Sequence, residues 1–301
     1  MNADYAEASL SAADVHVNRA GSRRVRVRHE GRGRDPLVVY FHGSPSSRLD
    51  LEFGRGRSEQ LGIHVAAFDR PGYGGSDYHP FTLASVAEDA VAVAAALGYE
   101  RFAVLGFSAG SAGALATAAL HAERVTAIGI VGGAAPFPDV LDELAKLSDE
   151  ERHALDLVDR DEVEAERLLA APDRPFVDVL EGDDTEVIGL WRSISAPADV
   201  SVLDDAEVAA FVVATHRESL RQGPKGWTHD NVVRMPRWNF DMSNVTAPAS
   251  FWYGEQDAVA NGIWLKTQIP HGVLTVLPNE AHFSVLYRQW AQVMRVCSGG
   301  G

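Results

Sequence analysis

The sequence predicts an α/β protein in which a mostly parallel sheet is covered by helices on both faces. Short, continuously apolar runs, which are typical of buried parallel strands, alternate along the chain with segments of helical spacing. The alternation is interrupted once, by a long acidic stretch whose apolar residues recur at helical intervals and which contains no strand-like run. We therefore expect an α/β core that carries an inserted helical segment.

Six apolar runs predict the buried strands, and they lie at 37–41, 63–68, 102–107, 125–131, 249–253 and 273–277. The segments of helical spacing are 82–97, 109–122, 258–269 and 282–296. Ahead of the first run, residues 15–17 and 25–28 predict an antiparallel hairpin with a turn at 20–22. The second strand of this hairpin alternates valine and arginine, which predicts one buried face and one solvated face.

The interruption predicts two structural units. Residues 1–134 and 227–301 would form the α/β core, and residues 135–226 would form a helical cap, or lid, inserted into that core. The cap contains three large apolar side chains that could either line a pocket or form the packed interior of the cap itself: Phe176, Trp191 and Phe211. The sequence leaves both roles open for these residues.

The charge distribution excludes several classes of partner. The net charge is −15, and residues 139–221 account for all of it because they hold 23 acidic and 8 basic side chains. No domain-wide basic face remains, which argues against a nucleic-acid partner, and no uncharged apolar run is long enough to span a membrane. The chain has one cysteine, Cys297, and its first residues do not resemble a secretory signal, so we expect a cytoplasmic protein with a small-molecule substrate.

The stretch VLGFSAGSAG, residues 104–113, places a serine among glycines between a predicted strand and a predicted helix. Gly106, Ser108 and Gly110 match the pattern G-x-S-x-G, which has a mechanical meaning in this context. A sharp turn would lift the Ser108 hydroxyl clear of the sheet, and side chains two positions to either side would collide with neighbouring backbone. The sequence therefore predicts Ser108 as a nucleophile.

A serine nucleophile needs a base, and the base needs an acid to orient it. After Ser108, these groups should follow late strands in the order acid, then histidine. Asp257 lies four residues after the run that ends at Tyr253, and His282 lies five residues after the run that ends at position 277. We predict Asp257 and His282 as the partners of Ser108, with Glu255 as the alternative acid.

An anionic intermediate needs backbone N–H donors, and two are predicted from the chain. One is the N–H of Ala109, in the first turn of the helix after the nucleophile. The other is the N–H of Ser44, in the loop after the first buried strand, where Gly43 allows a sharp turn. His42, in the same loop, is expected to be a buried histidine that hydrogen-bonds the loop. No metal-binding pattern and no cofactor are predicted.

The motifs HGSP (42–45), DRPGYGGSD (69–77), GFSAGS (106–111), GEQD (254–257) and AHFSVL (281–286) together resemble an α/β-hydrolase-fold protein. The chain is similar to the capped group that includes proline iminopeptidase-like hydrolases, esterases and lactonases. This resemblance implies Ser108, Asp257 and His282 as a catalytic triad, an oxyanion hole at Ser44 and Ala109, and a cap over the active site. The substrate is not implied, because the insertion matches least.

The resemblance favours a serine hydrolase that cleaves an ester, thioester or lactone through an acyl-enzyme. Dehalogenases and epoxide hydrolases of this fold have an aspartate at the nucleophile position, so Ser108 argues against both. An aminopeptidase stays open, although GFSAG differs from the GGSWG of proline iminopeptidases. A lyase, a carbon–carbon bond hydrolase, a cofactor-free oxygenase and a non-catalytic binding protein also stay open.

The residues beside the catalytic positions suggest the character of the substrate. Phe107 and Phe283 should face the pocket, together with Trp191 from the cap, and the only basic residue within the motifs is Arg70. Such a pocket favours a small, mainly uncharged molecule, and the acidic insertion would repel anions. The exception would be an arginine that the cap brings into the pocket, with Arg192 and Arg217 as candidates.

Overall fold

A computed structural model of the protein describes residues 12–19, 22–31, 33, 35–170, 172 and 174–299. The predicted turn at 20–22 therefore lies partly outside the described residues, as does the extreme N-terminus. The strands are β1 (Ala12–Asn18), β2 (Arg24–Glu30), β3 (Leu37–Phe41), β4 (His64–Phe68), β5 (Phe102–Phe107), β6 (Val125–Val131), β7 (Ala249–Gly254) and β8 (Val273–Leu277). The hairpin and strands at all six predicted positions are present. The run 273–277 is not buried as predicted, because β8 lies at the edge of the sheet with Val273 and Val276 exposed.

These eight strands of the described chain form one sheet in the order β1-β2-β4-β3-β5-β6-β7-β8. The β1–β2 and β2–β4 pairs are antiparallel, and every later pair is parallel. From β3 the chain passes to β4 on one side of β3, and then crosses over to β5 on the other side. The direction in which strands are added to the sheet therefore reverses here, and the carboxyl ends of β3 and β5 lie side by side. In such sheets, ligands bind outside the carboxyl ends of strands at a reversal of this kind.

Both faces of the sheet are covered, as the continuous apolar strands predict. Helices α2 (Leu83–Ala96), α3 (Gly110–Leu120) and α12 (Val259–Gln268) pack on one face. The other face is covered by α13 (His282–Cys297), by the 3₁₀ helix Arg48–Gly54 and by part of the insertion. A short helix, α1 (Arg57–Gln60), contacts α13 through a hydrogen bond from Trp290 Nε1 to Ser58 Oγ of 2.9 Å.

Between β6 and β7, all regular elements in the described residues are helices. The α-helices are α4 (Leu141–Leu144), α5 (Asp149–Leu157), α6 (Glu162–Ala170), α7 (Arg174–Leu180), α8 (Asp184–Ile194), α9 (Pro197–Val202), α10 (Ala206–Ser219) and α11 (Lys225–Arg234), and two 3₁₀ helices lie at Phe137–Asp139 and Met242–Asn244. Helices α5 and α8 each begin with a capping box, Ser148 with Glu151 and Asp183 with Glu186. The all-helical character of this segment is as predicted.

Helix α11 crosses the predicted domain limit at residue 226. Val232 and Met235, in and just after α11, pack against residues of the insertion in a small cluster with Leu147, Ala154 and Leu169. At the same time, Asp230 of α11 pairs with Arg70 of the core at 2.8 Å. The helix therefore contacts both units, and the division at 134 and 226 stays a prediction.

The insertion is fastened to the core by buried polar contacts. Arg48, in the 3₁₀ helix, pairs with Asp14 of β1 (3.0 Å), with Asp69 after β4 (2.8 Å) and with Glu218 of α10 (2.6 Å). Thr215 of α10 places its hydroxyl 2.9 Å from Ser47 Oγ. These contacts join the hairpin, the sheet and the insertion at one place.

The C-terminal helix lies tightly on the sheet. Cys297, its last residue, is buried against Gly129 of β6, where a Cβ atom would lie 2.5 Å from the sulfur. No helix in the described part of the chain has both the length and the apolar character needed to cross a membrane.

Candidate active site

The backbone of Ser108 lies in the left-handed region, with φ of 52°, immediately after β5. This conformation is strained for a non-glycine residue and is held by a hydrogen bond from the Ser108 N–H to the Val131 carbonyl of 3.0 Å. A Cβ atom at Gly106 would lie 2.7 Å from Ser111 Cα, and one at Gly110 would lie 2.2 Å from the Phe41 carbonyl oxygen. The two flanking glycines are therefore required by close backbone approach.

The structure brings His282 and Asp257 together, with Nδ1 of the imidazole 3.0 Å from Oδ2 of the carboxylate. Asp257 follows β7, and His282 is the first residue of α13, after β8. Both side chains line the same two cavities as Ser108. Gly132, with φ of 53°, passes so close that a Cβ atom there would lie 2.7 Å from His282 Nδ1.

The electrostatics of this pair suit a base and its supporting acid. Burial alone would lower the pKa of His282, but the charge and hydrogen bond of Asp257 and the charge of Asp199 raise it above its ordinary value. Burial would likewise raise the pKa of Asp257, but His282 and the Ala258 N–H lower it. Asp257 therefore stays charged while it orients His282.

Glu255, the alternative acid, points elsewhere. Its side chain accepts a hydrogen bond from the Asn279 N–H at 3.2 Å, and the residue is exposed. It contributes to neither cavity that Ser108 lines. The geometry therefore favours Asp257 as the acid.

The loop after β3 faces the same site. Ser44 lines both cavities that contain Ser108, and Ala109 lines one of them. In the described part of the chain, neither the Ser44 N–H nor the Ala109 N–H donates to a backbone carbonyl. Both donors are thus available for an anionic oxygen, as the predicted oxyanion hole requires.

Buried side chains fix this loop from two directions. Arg70 donates to the carbonyl oxygens of His42 (2.6 Å) and Gly43 (3.0 Å), and Asp50 accepts from the Gly43 N–H at 3.4 Å. His42 is fully buried, its Nδ1 lies 2.7 Å from the Gly43 carbonyl, and burial lowers its pKa well below the ordinary value. His42 therefore has a structural role in the loop.

One of the two cavities, here called the aromatic cavity, has a volume of about 280 Å³. It contains all three predicted pocket residues, Phe107, Phe283 and Trp191, and it adds Phe53 from the 3₁₀ helix. The Phe107 ring lies 4.8 Å from the His282 ring, and Trp191 meets Phe283 edge to face at 5.4 Å. This wall suits an apolar group of a substrate.

Comparison with known proteins agrees with this architecture. A family model described as the alpha/beta hydrolase fold matches residues 36–161, and no curated protein sequence matches the chain. A solved structure described as an N-acyl homoserine lactone degrading enzyme is 23% identical, with a TM-score of 0.66, and the match covers 94% of this chain and 99% of that enzyme's chain. The protein has the α/β-hydrolase fold.

Two further solved structures of this fold are similar over nearly their whole length. An esterase from Exiguobacterium antarcticum is 18% identical, with a TM-score of 0.66, and the match covers 96% of this chain and 99% of the esterase. An enol-lactonase from Burkholderia xenovorans is 17% identical, with a TM-score of 0.64, and the match covers 92% and 96%.

This α/β-hydrolase-fold protein also has polar residues in the aromatic cavity that sequence analysis missed. Asp50 is buried there with its pKa raised to about 6 by burial, and His216 is buried with its pKa lowered to about 4 by burial. Among the described residues, the Trp191 Nε1 atom is buried without a hydrogen-bond partner. No motif marks Asp50, which lies in the 3₁₀ helix Arg48–Gly54, or His216, which reaches the cavity only because the insertion folds over the core.

The second cavity, here called the polar cavity, has a volume of about 190 Å³. Beside Ser108, Asp257 and His282 it is lined by four polar side chains that no sequence motif singled out: Glu143, Lys146, Arg234 and Asn261. Asn261 is 4% exposed, and its Oδ1 atom has no hydrogen-bond partner in the described part of the chain. The aromatic cavity therefore combines aromatic with polar side chains, whereas the polar cavity adds a lysine, an arginine and a glutamate beside Ser108.

Four residues of the insertion whose roles the sequence left open lie outside both cavities. Arg192 pairs with Asp204 at 2.8 Å and Arg217 pairs with Asp184, and neither arginine lines the two cavities. Phe176 and Phe211 lie outside both cavities as well. Phe176 packs between Trp191 and Trp227, and Phe211 packs on Phe53 at 4.3 Å.

No group of three His, Cys, Asp or Glu side chains that could hold a metal ion occurs among the described residues.

Proposed function

We propose that the protein is a serine hydrolase that cleaves an ester, thioester or lactone of a small molecule through an acyl-enzyme. The observation that carries this proposal is the contact of His282 with Asp257 beside a left-handed Ser108 that faces the same cavities. The similarity to solved esterases and lactonases supports the class of reaction.

The chemistry follows from the protonation states. Nδ1 of His282 contacts the charged Asp257, so Nε2 is the atom left to accept the Ser108 proton. The serine oxygen attacks the substrate carbonyl, and the oxygen that becomes anionic is stabilised by the N–H groups of Ser44 and Ala109. His282 then protonates the leaving group, which departs and leaves an acyl group on Ser108.

The second half of the reaction repeats these steps with water. His282 removes a proton from a water molecule, and the resulting hydroxide attacks the acyl carbon. The intermediate again places its negative oxygen between the Ser44 and Ala109 donors. When it collapses, Ser108 recovers its proton from His282, and the acid product leaves.

A serine-directed fluorophosphonate tests the nucleophile. Intact-mass analysis should show one adduct on the wild type and on Ser193→Ala, a control at an exposed serine of α8, and no adduct on Ser108→Ala. Labelling that persists in Ser108→Ala would contradict the proposal.

A substrate panel then tests the reaction class. It should contain acyl esters, thioesters, lactones and aminoacyl amides, because the aminopeptidase and the non-hydrolytic alternatives would use the same three residues. We expect turnover of an ester, thioester or lactone by the wild type and not by Ser108→Ala. Cleavage of aminoacyl amides alone would favour the aminopeptidase instead.

A further inference from the structure

We propose that the polar cavity binds a carboxylate group of the substrate, and that Arg234 is the residue that recognises it. The inference rests on the proposed function, since it assigns a substrate class to the same site. It also differs from the uncharged substrate that the motifs suggest, because Arg234 lies on α11, outside every motif.

Arg234 is a cation without an acidic partner. Its NH2 atom donates to Asn231 Oδ1 at 2.6 Å, and within the described residues no carboxylate lies within 4.0 Å of its guanidinium. Its Nε atom is buried with no hydrogen-bond partner in the same part of the chain. The charge of this guanidinium is therefore not balanced by a carboxylate of the described chain, and a carboxylate of a ligand matches a guanidinium in both charge and geometry.

The nearby acids are already engaged. Glu143 pairs with Lys146 at 2.8 Å, and Asp257 pairs with His282 at 3.0 Å. Asp230, one turn before Arg234 on α11, accepts from Arg70 at 2.8 Å and from Tyr73 at 3.0 Å. None of these carboxylates is therefore left to neutralise Arg234.

The other lining residues add further polar groups. The exposed ammonium group of Lys146 also lines the cavity, where it pairs with Glu143. The free Asn261 Oδ1 atom is an acceptor, which suits an O–H or N–H group next to the carboxylate. The acidic insertion does not oppose binding strongly, because its exposed charges are screened over about 8 Å at physiological salt.

Pairs of matched substrates test this inference. On the acyl side, p-nitrophenyl hemiglutarate and p-nitrophenyl pentanoate have the same chain length and differ in the terminal carboxylate. On the alcohol side, 3-butyryloxybenzoate and 3-tolyl butyrate differ in the same way. We expect Arg234→Gln to lower kcat/KM about 10- to 100-fold for at least one anionic probe, mainly through KM, and to change the neutral probes by less than about 3-fold.

The matched control is Arg237→Gln, an exposed arginine three residues further on that pairs with Asp139 outside both cavities. It should leave the ratio of anionic to neutral kcat/KM unchanged, and Arg234→Lys should restore part of it. Circular dichroism and thermal unfolding of each variant check that the fold is kept. If Arg234→Gln has the wild-type ratio for both pairs, the inference is wrong.

A binding measurement separates this inference from the proposed function. Glutarate binding, measured by calorimetry, needs no turnover and should weaken about 10-fold or more in Arg234→Gln. If the wild type hydrolyses no probe but binds glutarate through Arg234, the proposed function fails and the carboxylate site stands. If the wild type hydrolyses the neutral esters but binds no glutarate, the proposed function stands and the carboxylate site is wrong.

Discussion

Ser108 shows how closely one residue depends on its neighbours. Its left-handed backbone is tolerated because Gly106 and Gly110 let the strand, the turn and α3 approach one another without side chains between them. The glycine positions were predictable from the motif, whereas Gly132 was not, because its role depends on the approach of β6 to His282 in three dimensions.

Two glycine substitutions test this dependence. Gly110→Ala should destabilise the protein by about 1–3 kcal/mol and remove most activity, because the new Cβ atom would lie 2.2 Å from the Phe41 carbonyl oxygen. Gly189→Ala, in α8, is the control, since nothing lies within 4 Å of its Cβ position. It should stabilise the protein by about 0.5–1 kcal/mol. Urea unfolding measures both, and equal effects would contradict the argument.

The assignment of the acid is tested at the same scale. Asp257→Asn should lower kcat by about 10⁴-fold while the protein remains folded, because the amide cannot hold His282 in the required tautomer and charge state. Glu255→Gln should leave kcat within about 3-fold of the wild type, because Glu255 contacts the Asn279 N–H and not the imidazole. The reverse pattern would make Glu255 the acid.

Among the elements, α9 contacts the N-terminus of α13 directly. Asp199, in α9, is buried and accepts hydrogen bonds from the N–H groups of His282 (3.1 Å) and Ser284 (2.8 Å). These are orphan donors at the start of α13, where Ala281 offers no side-chain cap. A carboxylate from the insertion therefore caps the N-terminus of the helix that begins with His282, the proposed base.

This connection predicts a change in pH dependence. His282 must be neutral to accept a proton, so kcat/KM falls as the pH drops through its raised pKa. Asp199→Asn removes one of the charges that raise this pKa, so the acid limb should move to lower pH. Ser201→Ala, on the same helix, should leave the limb in place. A pH profile of kcat/KM checks both, and an unmoved limb in Asp199→Asn would show that Asp199 is structural only.

The elements were predicted well because their periodicity is local. The predicted helix 82–97 is observed as Leu83–Ala96, and 282–296 as His282–Cys297. The insertion was predicted only as helical, since its acidic amphipathic segments fix helix formation but not the packing partners of each helix. The sequence analysis consequently missed Asp199 and His216, although both line the aromatic cavity together with Ser108.

At the scale of the whole molecule, Arg48 joins three parts of the fold. It is 5% exposed and pairs with Asp14, Asp69 and Glu218, which belong to β1, the end of β4 and α10. Removing the arginine would leave Asp69, which is fully buried, without its charged partner. Buried pairs broken in this way are strongly destabilising.

Arg48→Met should therefore lower the free energy of unfolding by about 3–5 kcal/mol. Arg174→Gln is the control, because Arg174 and its partner Asp178 are both exposed, and it should change the free energy of unfolding by less than about 0.5 kcal/mol. Urea unfolding at neutral pH measures both. A change below about 1 kcal/mol in Arg48→Met would mean that the hairpin and α10 are held by other contacts.

The candidate site divides in the same way between what local sequence encodes and what tertiary structure creates. Ser108, Asp257 and His282 were found from turn chemistry and strand order, which leave a local trace. Arg234 and Lys146 leave none, because they are ordinary surface-type residues until α11 and the segment after α4 bring them to the cavity that Ser108 lines. The expectation of an uncharged substrate came from motif residues, from Trp191 and from the acidity of the insertion, and none of these reveals Arg234.

The packing of Cys297 allows the local opening of α13 to be measured by thiol chemistry. Its thiol is buried over Gly129, and burial raises its pKa to about 12, so the reactive thiolate is scarce as well as inaccessible. A disulfide reagent can modify it only when the end of α13 separates from the sheet. The rate of modification therefore reports the local opening of α13, the helix that begins at His282. Because Cys297 is the one cysteine in the sequence, this measurement needs no engineered label.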